Sequence, residues 1–135
     1  MGFVGRVEYR HVYAQTGGAQ YGRGIDAGGD LLWLSAEAFE RDADPADFSL
    51  RAMIAHERGH QLLARHPRLA ARRVELSTVV EEVLASLIGA WVAGPGLDRD
   101  SLIDKAAADL LDTGATAEVA ARHIEQWWGL LEELL

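Results

Sequence analysis

The chain has 135 residues, 49% of them hydrophobic, which is enough for one domain with a core and too few for two ordinary ones. Its formal net charge of −8 argues against a phosphate backbone or an anionic membrane surface as the main partner, because either requires a positive field. There is no cysteine, so disulfides are excluded and any metal must be held by nitrogen and oxygen ligands.

A single domain over residues 1–135 is therefore expected. The opening MGFVGRVEYR lacks the apolar stretch and small-residue cleavage site of a secretory signal, and Arg6 stands where a myristoylation signal needs Ser or Thr. The longest apolar run, from Val83 to Gly94, is shorter than the roughly 20 residues that cross a bilayer. A cytoplasmic protein with no membrane span and no direct nucleic-acid partner is the expectation.

In chain order, RVEYRHVY places Val7, Tyr9, His11 and Tyr13 on one face and Arg6, Glu8 and Arg10 on the other, the period of a half-buried strand. YGRGID and LLWLS flank AGGD, whose Gly28 and Gly29 suit a hairpin turn, so the first third reads as a small antiparallel sheet. LLWLS is the expected edge strand, able to pair with an extended peptide. From Ser35 the period becomes helical. A short helix to about Arg41 precedes the break at DADPAD.

Asp47 or Ser49 then caps a helix that runs to His66, before Pro67. A second helix from about Leu69 to Ala93 stops at Gly94-Pro95-Gly96. A third has a cap-like Asp100 and ends at Gly114, and a fourth starts from Thr116. The fold class expected is α+β: a small N-terminal antiparallel sheet packed on two site-bearing helices, with two further helices after them.

The chemistry lies in AHERGHQLLARHP, Ala55 to Pro67. On a helix each residue turns about 100° and rises about 1.5 Å, so His56 and His60 lie about 6 Å apart on one face and can reach one ion. Glu57 is offset beside them, which suits a general base that deprotonates a zinc-bound water. In a chain of this composition a chance match to HExxH is expected about once in 70, so coincidence is a poor account. Zn²⁺ is the expected cofactor, and a catalytic zinc needs a third protein ligand besides an open position.

His66, Glu81 and Glu82 compete for that role. His66 lies six residues past His60, about 240° round a continuing helix, and Leu63 occupies the position where a sharp turn toward it would need glycine. The glutamates belong to VVEEVLASLIGAW. Thr78, Glu82, Ala85, Ser86 and Gly89 form a stripe of small residues around Glu82, whereas Leu84 and Ile88 neighbour Glu81, so Glu82 is the better candidate. As an oxyanion partner the candidates are Tyr9, Tyr13 and Tyr21 before the motif and His123 after it.

With HERGH and a downstream Glu82-x-x-Ala85 frame, the chain resembles the gluzincins, zinc metallopeptidases in which a second helix donates a glutamate. Within them, the preceding hairpin and short form look most like the ImmA/IrrE-type domain, over roughly Tyr21 to Val92. The resemblance implies peptide-bond hydrolysis with zinc on His56, His60 and Glu82 and with Glu57 as base. It also implies a protein or peptide substrate, often a helix-turn-helix repressor. Two departures stand out: Arg58 where an apolar residue is usual, and Ser86 where Asp or Asn would steady a ligand histidine. A rival reading is a zincin-like regulatory or protein-interaction module with weak or no catalysis. The C-terminal WWGLLEELL is a candidate homodimer face, and a core-facing stripe explains it equally well.

Overall fold

The computed structural model describes residues 6–9, 19–26, 29–34, 49–69 and 77–135, with the strands described as backbone. Three strands, β1 (Arg6–Tyr9), β2 (Ala19–Asp26) and β3 (Gly29–Leu34), precede four helices. The helices are α1 (Leu50–Arg65), α2 (Thr78–Ala93), α3 (Leu97–Asp112) and α4 (Ala117–Leu134).

The expected α+β fold with an antiparallel sheet is corrected. Where side chains are described the chain is 86% helical with no residue in a strand, so the core is helix on helix. The strands are not purely antiparallel either. Their order is β1-β3-β2: β2 pairs antiparallel with β3, but β1 runs parallel to it, with Arg6 opposite Leu31 and Tyr9 opposite Leu34. β3 therefore has a neighbour on both sides, and residues 31–34 of the expected edge lie in the central strand. The parallel pairing joins segments far apart in sequence, and no local turn signal announces it. The short helix expected from Ser35 and the break at DADPAD lie outside the described residues.

Local chemistry sets the helix ends. Ser49 is extended and caps α1, its hydroxyl accepting from the Ala52 N–H at 3.0 Å. The same hydroxyl donates to Asp98 Oδ1 at 2.7 Å, tying the start of α1 to the first turn of α3. α2 is described from Thr78, later than the Leu69 start expected, because Ser77 is extended and accepts from the Val80 N–H. It stops at Gly94, whose φ of 76° lies in the left-handed region that glycine adopts without strain. α3 begins at Leu97, and Asp100, expected as its cap, instead lies in the first turn with Asp98, where the helix dipole favours negative charge. Thr116 caps α4, accepting from the Val119 N–H.

α2 is the axis of the core. Val83, Ala85, Leu87, Ile88 and Ala90 are fully buried on it; Val83, Leu87 and Ile88 cluster with Leu62 and Leu63 of α1 and Ala106 and Leu110 of α3, and Ala90 with Ala52 and Leu102. A helix apolar on most of its circumference belongs inside a bundle, and the other helices wrap this one. Trp91 meets Trp128 of α4 at 5.4 Å between ring centroids.

α1 and α2 touch at backbone distance. A Cβ on Gly59 would stand 2.0 Å from the Ala85 carbonyl oxygen, and one on Gly89 would stand 2.6 Å from that of Ala55. Both obstacles are main chain, so relief requires the helices to part. Gly59→Ala and Gly89→Ala are each expected to lower stability in denaturant unfolding by about 1–3 kcal/mol, the usual cost of overpacking. Gly129→Ala, whose Cβ would meet nothing within 4 Å, is the control and is expected to gain up to about 1 kcal/mol from helix propensity.

Candidate metal centre

The close approach of α1 and α2 fixes what faces what. His56 and His60 project from α1 on either side of Gly59, opposite Glu82 and Ser86, which flank Ala85 on α2. His56 Nε2 lies 3.1 Å from Glu82 Oε2, and His60 Nε2 lies 3.1 Å from Glu82 Oε1. The two Nε2 atoms are 3.2 Å apart, and their rings are nearly perpendicular. Glu57 is buried beside them. One atom from each of His56, Glu57 and His60 lies within 4.8 Å of the others, and this group could hold a metal ion.

The hydrogen-bond chemistry of the cluster is unusual. His56 Nδ1 is 2.9 Å from the Ser86 hydroxyl, which is fully buried. If Nδ1–H donates to Ser86, a neutral His56 presents a bare Nε2 lone pair toward a carboxylate oxygen and toward the Nε2 of His60. In the other tautomer the Ser86 hydroxyl donates to Nδ1 and the His56 Nε2–H donates to Glu82, so only the first arrangement leaves a bare nitrogen facing the centre. A single cation among the four atoms would satisfy all of them.

Charge placement shifts two groups. Hydrogen bonds from His56 and His60 hold the Glu82 carboxyl well below the usual carboxylate range, against the opposing effect of burial. For His60, burial lowers the pKa, but the hydrogen bond to Glu82 and the charges of Glu57, Glu82 and Glu81 outweigh it and leave it raised.

The other candidates fall elsewhere. Glu81 Oε1 is 3.8 Å from His60 Nδ1, on the far side of that ring from the shared centre. His66 is the C-cap of α1, and its Nδ1 accepts from the Arg68 N–H at 3.3 Å. His123 is exposed and stacks on Trp127 of its own helix. The side chains of Tyr9 and Tyr21, and all of Tyr13, lie outside the described residues.

One part of the surroundings was not foreseen. A cavity of about 330 Å³ opens beside Glu82, lined also by Thr78, Lys105, Asp109 and Thr113. Lys105 donates to Asp109 at 2.8 Å, a four-residue spacing visible in the sequence, but nothing local shows that α3 faces Glu82. No protein-family model, curated protein or solved structure matches the chain. Among the described residues no helix is long and apolar enough to cross a membrane.

The two shifts set a pH dependence for the chelator-treated protein. Glu82, lowered from its ordinary 4.5, contributes stability that is present above that pH and lost as pH falls toward its folded value. His60, raised from 6.5, contributes stability that is present below that pH and lost as pH rises through its folded value. The cluster should therefore stabilise most between those two values. Melting temperature against pH in EDTA is expected to peak there, and Glu82→Gln should flatten the peak.

Proposed function

We propose that the chain is a zinc-dependent metallopeptidase, with His56, His60 and Glu82 as metal ligands and Glu57 as general base. The observation that carries this reading is the convergence of two imidazole nitrogens, 3.2 Å apart, on the two oxygens of one carboxylate, each nitrogen 3.1 Å from one of them. The HExxH spacing and the resemblance to gluzincins support the same reading. A bound zinc would supply Lewis acidity, lowering the pKa of a water and polarising a scissile carbonyl.

The protein's own groups do the rest. With a metal bound, the Ser86 hydroxyl would accept the His56 Nδ1 proton and leave Nε2 free to face the centre. Glu57 is on the same helix as both histidines but turned beside them, close enough to take a proton from water and return it to the leaving amine. Its burial keeps bulk water from competing for that proton. In this reading the cavity lined by Glu82, Lys105 and Asp109 is where part of a peptide substrate would bind.

Elemental mass spectrometry of the purified, dialysed protein is expected to find about one zinc per chain. Glu57→Gln should keep the metal and reduce peptide cleavage by at least about a hundredfold, the usual contribution of a general base. A protein that neither retains nor takes up zinc would defeat the reading. Ser86→Ala should weaken zinc affinity by about tenfold or more, as measured by competition with a chromophoric chelator.

A further inference from the structure

Away from the metal centre, α3 and α4 enclose an apolar groove of about 490 Å³. Ile103, Ala107 and Leu111 form one wall, and Ala121, Ile124 and Trp128 form the other. Leu111 is 45% exposed, a large side chain left in water by this chain alone. The groove is a valley between two helices, shaped to take a third.

Its rims are acidic. Glu118, Glu125 and Glu132 are all exposed and follow one another at seven-residue intervals on α4, so they run nearly in line with about 20° of drift per step. Glu125 itself lines the groove. On α3, Asp104 is exposed next to Ile103. Arg99 reaches the Trp128 ring at one end, but its guanidinium donates to the Ala90 and Trp91 carbonyls at the end of α2. Arg122, exposed and not lining the groove, stands four residues after Glu118 and three before Glu125.

We infer that this groove is a docking site for a basic amphipathic helix of a partner protein, its apolar face in the groove and its Lys or Arg side chains along the glutamate row. The row spans about four helical turns, which sets the length of helix engaged at about 14 residues. A second copy of this chain fits poorly, since copies meeting at this face would bring acidic rims together. The inference is independent of the metal reading.

The probe is a pair of synthetic helical peptides of about 18 residues with leucines on one face. One carries lysines beside them at seven-residue spacing, and the other carries glutamates in their place. By isothermal titration calorimetry on the full chain, the lysine peptide should bind at least about tenfold more tightly at low salt, with the preference shrinking as salt rises. Replacing Glu118, Glu125 and Glu132 together by Lys should reverse the preference, and Leu111→Glu should abolish binding of both peptides. All four positions are exposed, and circular dichroism checks that the variants fold. Equal binding of the two peptides, binding of neither, or a dimer in sedimentation that Leu111→Glu dissolves would overturn the proposal.

Discussion

The arrangement of the centre depends on one contact, the backbone approach of α1 to α2. Gly59 sits against Ala85 and Gly89 against Ala55, so as one chain advances the other recedes and the helices run antiparallel. Each helix supplies one glycine for the other's main chain to fill, so neither can rotate or slide without a backbone clash. His56 and His60 lie three residues before and one after Gly59. Glu82 and Ser86 stand in the same relation to Ala85. The four polar side chains thus emerge around the tightest point of the interface, where the reach between them is shortest and least variable.

That rigidity has an electrostatic cost that the cluster itself must offset. His56 and Glu57 are both about nine-tenths buried, and Ser86 is wholly so. Polar groups at that depth need partners, and a carboxylate among imidazoles finds them only through protons or a cation. The lowered carboxyl of Glu82, held by hydrogen bonds from His56 and then His60, and the raised imidazole of His60, facing Glu82, Glu57 and Glu81, express the same demand. An apolar pair at these positions would bury as readily with no polar groups to satisfy.

Much of this was legible in the sequence where the signal is local. The HExxH spacing, the caps at Ser49 and Thr116 and the stop at Gly94 all rest on residues within a turn or two of one another. So does the stripe of small residues on α2, because periodicity and side-chain volume are written in the chain itself. Long-range features were not legible. The parallel pairing of β1 with β3 joins segments more than twenty residues apart, and it turned the expected edge strand into a central one. The start of α3 was misplaced at Asp100 because an acidic residue in the first turn serves the helix dipole as well as a cap would. Nor did the sequence show that the middle of α3, with Lys105 and Asp109, faces the cavity beside Glu82.

The C-terminal helices add no atom to the cluster of imidazoles and carboxylates, yet they help fix its geometry. α2 presents Ala85, Ser86 and Gly89 to α1 on one side, while Leu87, Ile88 and Ala90 are buried in clusters that include residues of α3 and α4. Ile88 belongs to the same turn as Ser86, so packing that holds one constrains the other. Arg99 extends the hold past the helix end by donating to the carbonyls of Ala90 and Trp91 while its guanidinium lies over Trp128. The placement of Glu82 against the imidazoles is thus set from both faces of α2, by glycine contacts on one and a hydrophobic core on the other. A carboxylate held 3.1 Å from each of two nitrogens needs both, because either constraint alone leaves the helix free to turn about the other.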